Sequence, residues 1–114
     1  MRTIPVLLAI LLVSCAAPVS SVKVIVGAQL DPGHDNPRLE HSVIVIRDGK
    51  FQAVGPQQST PVPKGAQMIS GSGKLVTPVP GSALIAAGQP ADLLLRNTAT
   101  GSVERVMHDG EWSK

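Results

Sequence analysis

Three histidines, eight carboxylates and one cysteine are the groups in this 114-residue chain that could hold a metal or form a covalent intermediate. His34 stands in a turn-rich stretch between Asp31 and Asp35, His41 precedes an apolar run, and His108 adjoins Asp109 near the carboxy terminus. A catalytic metal needs several ligands converging on an open position, and these spacings form no ligand motif. The expectation is therefore solvated histidines, with no metal site and no cofactor. Asp35, Arg38 and His41 are spaced too loosely for a catalytic group. Ser72 lies in Gly71-Ser72-Gly73, which is not the Gly-x-Ser-x-Gly elbow that presents a nucleophile and reads as a turn. No catalytic residue is expected from these motifs.

Cys15 has a different context. Met1-Arg2-Thr3 carries one positive side chain and precedes the apolar run Ile4 to Val13. Crossing the hydrocarbon takes about 20 apolar residues, so this run is too short to span and reads as the hydrophobic region of an export signal. It ends in Leu12-Val13-Ser14-Cys15, which resembles the bacterial lipoprotein box, where cleavage precedes a cysteine that is then acylated. The resemblance implies an export signal at 1–14, lipidation at Cys15 and a lipidated tether at 15–21. It also implies the lipid bilayer as partner and a place in the bacterial cell envelope, on the outer membrane facing the periplasm, since Ala16 is not an acidic retention signal. Stable anchoring takes more than one acyl chain, and acylation consumes a thiol that has no second cysteine to pair with. The alternatives are an ordinary cleaved signal, with Ser14, Ala16 and Ala17 as the small residues near the cut, and a coincidental apolar leader.

Ten Lys plus Arg face eight Asp plus Glu, and removing Arg2 with the leader leaves nine against eight. That balance, with Phe51 and Trp112 the only aromatic residues, leaves neither a basic footprint nor a stacking platform for nucleic acid. Eleven Gly and ten Pro favour turns over long helices.

The elements that must position any site are short strands. Val22 to Val26 reads as one, closed by Gly27, with Ala28-Gln29-Leu30 continuing after a bend. Asp31 to Pro37 is a loop. Ser42 to Arg47 has an unbroken apolar centre, as a strand covered on both faces would. Asp48-Gly49 is a hairpin turn leading into the alternating Lys50 to Gly55. Proline excludes a central strand over 56–64. Ala66 to Ile69 and Lys74 to Thr77 are further strands, Ala83 to Ala87 is a helical turn or irregular strand, and Asp92 to Leu95 reads as buried. Ser102 to Met107, a turn at Asp109-Gly110 and Glu111 to Ser113 close the chain as a second hairpin. Asp92 is expected to tether a turn through a backbone hydrogen bond, Arg47 and Arg96 to cover sheet edges, and Trp112 to cap an apolar end. The fold class is all-β, a small sandwich or partly closed barrel of six to eight short strands over 22–114.

Several of these phrases carry a resemblance. Val24-Ile25-Val26-Gly27-Ala28, Ser42 to Gly55, Val62-Pro63-Lys64-Gly65-Ala66 and Gly73 to Pro78 resemble the amino-terminal part of the metal-dependent amidohydrolase superfamily, in its imidazolonepropionase and prolidase-like branches. Ala87 to Leu95 and Val103 to Trp112 resemble its carboxy-terminal part. The resemblance implies one composite β-sandwich built from both ends of the chain, beside a TIM barrel that carries the active site. That barrel would enter after Pro78, and about 250 residues cannot fit in the interval before Gly88. Val79-Pro80-Gly81-Ser82 lacks the metal-binding His-x-His that follows in the family, so no catalytic or metal residue transfers. The expected function is a membrane-anchored, non-catalytic sandwich remnant serving as scaffold or interaction module. A homodimer contact or protein partner would occupy the face left by the missing barrel. The alternatives are a hydrolase of carbon–nitrogen bonds whose barrel comes from a partner or was lost from this chain, and a degenerate product without selected activity. Cys15→Ser is expected to abolish incorporation of labelled fatty acid and to release the protein from the membrane fraction, read by metabolic labelling and fractionation.

Overall fold

The computed structural model describes residues 22–81 and 84–113, which form eight β-strands and, among the described residues, no helix. They are β1 (Val22–Leu30), β2 (Leu39–Arg47), β3 (Lys50–Pro56), β4 (Gln67–Ser70), β5 (Lys74–Thr77), β6 (Leu93–Asn97), β7 (Val103–His108) and β8 (Glu111–Ser113). All belong to one mixed sheet, ordered β3-β2-β1-β5-β6-β7-β8, with β4 also paired to β1. The sheet curves around its own core without closing, so the all-β, sandwich-like expectation holds. The leader, Cys15 and the tether lie outside the described residues.

β1 organises the sheet. One edge pairs antiparallel with β2 along its length. The other edge is divided: Lys23 to Val26 pair in parallel with β4, and Gln29 and Leu30 with β5. At the division the register shifts twice. Val26 faces Val43 and Ala28 faces Ser42, so Gly27 is an extra residue on β1. Leu30 then faces Leu39, which leaves Glu40 and His41 opposite Gln29 and puts an extra residue on β2. Two bulges, one on each strand, thus cancel in register. Gly27 has φ of 90°, a conformation that side-chain-bearing residues rarely adopt. β1 therefore continues past Gly27 to Leu30, and the bend expected there is a bulge.

The bulges decide which residues reach the core. Strand alternation would place Ile25 and Ala28 on opposite faces, yet both belong to the main cluster with Leu30, Ile44, Ile46, Phe51, Val76, Ile85, Leu93, Leu95 and Met107. A smaller cluster on the other face holds Val22, Val24, Val43 and Val45, with Ala66 packed on it. The unbroken run Val43 to Ile46 follows from this division, because its even members face one core and its odd members the other. Burial of each such side chain contributes on the order of 1.5–3 kcal/mol.

Ser42 is the one buried polar side chain in the described core, and its Oγ donates to the Ala28 carbonyl at 2.8 Å. Gly71 N–H donates to the Val26 carbonyl at 2.8 Å on the other side of the bulge. A Cβ on Gly71 would lie 2.6 Å from the Ala28 nitrogen, so the turn after β4 can approach only as glycine.

At the far end of the sheet, residues 88–91 stitch the two hairpin turns together. Gly88 N–H donates to the Phe51 carbonyl at 2.8 Å, and Phe51 N–H to the Gln89 carbonyl at 2.9 Å. Ala91 N–H donates to the Gly49 carbonyl at 2.9 Å, and Gly110 N–H to the Ala91 carbonyl at 3.0 Å. The turns touch directly, since a Cβ on Gly110 would stand 2.9 Å from the Gly49 Cα. Ser42→Ala is expected to destabilise the fold by about 0.5–1.5 kcal/mol, because it removes a buried hydrogen bond. Gly71→Ala is expected to cost more, because backbone atoms must move, and urea denaturation measures both.

Candidate functional site

The structure joins two of the groups that stand apart in the sequence. Asp92, just before β6, lies beside the β7–β8 turn, where Asp109 N–H donates to its Oδ1 at 2.8 Å. His108 Nδ1 is 3.0 Å from Asp92 Oδ1, and its Nε2 is 3.2 Å from Asp109 Oδ2. Among the described residues this is the one set of three histidine, cysteine or carboxylate ligands lying within 4.8 Å of one another. His108 and Asp109 are exposed, and the hydrogen bonds act within the set, fixing the turn. Sixteen intervening residues hid this contact, although Asp92 did read as a turn tether. His34, exposed in the loop after β1, and His41, at the cleft described below, do not join the set.

Asp48 and Gly49 adopt φ of 54° and 78° between β2 and β3, and Asp109 and Gly110 adopt 49° and 83° between β7 and β8. Positive φ at both central residues is what a two-residue hairpin requires. Arg47 and Arg96 do not cover sheet edges: both stand on inner strands, β2 and β6. Arg47 Nε donates to Gln52 Oε1 at 3.0 Å, and Arg96 Nε to Thr77 Oγ1 at 3.2 Å. Their reach is across to neighbouring strands. Trp112 packs against the main core from β8 with the Arg105 guanidinium 4.1 Å above its ring, and its buried Nε1 has no hydrogen-bond partner among the described residues.

Recesses open on the described part of the sheet. The first, about 260 Å³, is mainly apolar, with Leu30, Leu39, Val54, Leu84 and Ile85 in its wall. The loop after β1 frames it: Asp31 N–H donates to the Val76 carbonyl at 2.9 Å and Ile85 N–H to the Pro32 carbonyl at 3.1 Å. Asp31 also pairs with Arg38 at 3.6 Å, which folds the loop on itself. This recess adjoins the short connection that follows β5. The second, about 310 Å³, lies at the paired bulges and is polar, with Gln29, Glu40, His41, Ser72, Lys74 and Thr98 in its wall. Here Gln29 Nε2 donates to Glu40 Oε1 at 3.1 Å. Sequence reading missed this cleft because its walls come from four separate segments. The adjacent, unlike residues Glu40 and His41 in a strand carried the only local signal.

Lys74 is held at the cleft by Glu104 on β7, to which its Nζ donates, and Asn97 Nδ2 donates to the same carboxylate at 3.1 Å. The Lys74 hydrogen bond, then the Asn97 hydrogen bond, hold the Glu104 carboxyl below its ordinary range.

No family model and no curated protein matches the chain. Among solved structures it is similar to molinate hydrolase, at 25% identity and a TM-score of 0.47, over 52% of this chain and 13% of that one. It is also similar to a prolidase-assigned protein of Bifidobacterium longum, at 25% identity and a TM-score of 0.46, over 54% of this chain and 16% of that one. The chain therefore matches less than a fifth of the length of either neighbour. No helix among the described residues is long and apolar enough to cross a membrane.

A carboxylate whose folded-state pKa is lowered adds stability above its unfolded value, and that stability is lost as pH falls through the folded value. Glu104→Gln is therefore expected to leave a slightly less stable protein at neutral pH whose acid limb is flatter, with the difference vanishing at low pH. Thermal melts across the acid range measure it.

Proposed function

We propose that the chain is a membrane-anchored, non-catalytic β domain, derived from an amidohydrolase and serving as scaffold or interaction module in the bacterial envelope. The observation that carries this reading is the connection between β5 and β6. In the family that the sequence resembles, the segments equivalent to these strands flank the catalytic barrel. Here β5 and β6 are neighbours, with Thr77 opposite Leu94, and residues 78–92 alone join them. A barrel of about 250 residues has no place in that connection.

The apolar recess adjoins this connection, and it supports a contact with a protein partner or a second copy on that side. Cys15 acylation would keep the domain at the membrane surface, where two-dimensional confinement raises the effective concentration of any partner held there.

The test is hydrolysis of a panel of amides and cyclic amides by the purified protein, with and without added zinc, alongside its metal content and its mass in solution. The expected outcome is a folded, metal-free protein without turnover, and an assembly larger than the monomer that Leu84→Glu dissociates. Turnover abolished by chelation would overturn the non-catalytic reading, and a strictly monomeric protein would overturn self-association.

A further inference from the structure

We propose that the polar cleft at the paired bulges is a binding site for a small zwitterion, of which a free α-amino acid is the simplest member. Successive residues on a regular strand point to opposite faces, so a strand normally offers a surface cleft only every second side chain. The extra residue on β2 changes this, and the consecutive Glu40 and His41 both line the cleft, with Gln29 opposite them. Bulges commonly re-aim side chains beside functional sites. Here two bulges coincide, while Leu39, Ser42 and Ala28 on either side remain in register with the core.

The walls carry both signs of charge. The Glu40 carboxylate is oriented by the Gln29 amide at 3.1 Å, which occupies one of about four acceptor positions. Lys74 also lines the cleft, and its ammonium is bonded to Glu104, which occupies one of its three donors. The exposed His41 ring makes no hydrogen bond or ion pair among the described residues, so its nitrogens are available to a ligand. The floor is open because Gly27 and Gly73 carry no side chains, and a Cβ on either would meet nothing within 4 Å. A volume of about 310 Å³ lies at the small end of the range for ligand sites, about 300–1,000 Å³. An ammonium group beside Glu40 and a carboxylate toward Lys74 and His41 satisfy both walls at once. A ligand with one charge satisfies only one.

The site is independent of membrane anchoring and of the apolar recess, so its test is separate from theirs. Glycine and L-alanine would be titrated into the isotope-labelled full chain in detergent micelles, with acetate and methylamine as single-charge probes, following backbone amide resonances by NMR. Saturable shifts at Gly27, Glu40, His41, Ser72 to Lys74 and Thr98 are expected, with a dissociation constant on the order of 1 mM. Glu40→Gln and Lys74→Gln are each expected to weaken binding about tenfold, the loss of one charge-assisted contact. Glu104→Gln, which removes the tie to Lys74 but keeps the cleft ammonium, is expected to retain most of the affinity. Equal binding of acetate or methylamine would overturn the zwitterion assignment. Saturation at other residues, or no saturable shift by about 20 mM in a protein with a dispersed spectrum, would overturn the site.

Discussion

A strand has two hydrogen-bonding edges, and the arrangement of this protein depends on β1 giving one of them to two partners. Along one edge β2 follows it throughout. On the other, β4 takes the first half and β5 the second, both parallel to β1 and separated by the turn at 71–73. The bulge at Gly27 gives β1 the bend at which the partner changes. Gly71 lets the intervening turn come within contact of the Ala28 backbone. The Ser42 hydroxyl donates to the Ala28 carbonyl beside it. Three small residues from separate segments therefore hold one joint.

That joint also sets the core. By reversing the alternation of β1, it turns Ala28 and Leu30 to the same side as Ile25. The compensating bulge does the same for β2, which brings Leu39 against the cluster that Ile44 and Ile46 help to build. On the opposite face the side chains released by the irregularity are Gln29, Glu40 and His41. A packing requirement and a polar cleft are thus two sides of one backbone feature.

The second fastening is the segment 88–91. It bonds to the β2–β3 turn through Gly49 and Phe51 and to the β7–β8 turn through Gly110, so the amino-terminal and carboxy-terminal parts of the sheet are held at both ends. Asp92 follows directly and receives the Asp109 amide, which ties the last hairpin to the start of β6.

The amino-acid sequence by itself determined the elements. Alternation in Lys50 to Gly55, the apolar run at Val43 to Ile46 and the Asp-Gly pairs identify strands and turns, because these signals depend on local backbone preference and on which faces are covered. That Val79-Pro80-Gly81-Ser82 carries no histidine is likewise a matter of sequence. Tertiary structure alone decided that the bend at Gly27 is one of two cancelling bulges, that Arg47 and Arg96 stand on inner strands, and that Asp92 meets His108 and Asp109. It also decided that Gln29, Glu40, Lys74 and Thr98 share one cleft. Strand pairing between distant segments sets those contacts, and the physical reason is that hydrogen-bonded ladders are indifferent to the side chains they carry, so local residue types do not specify the neighbour.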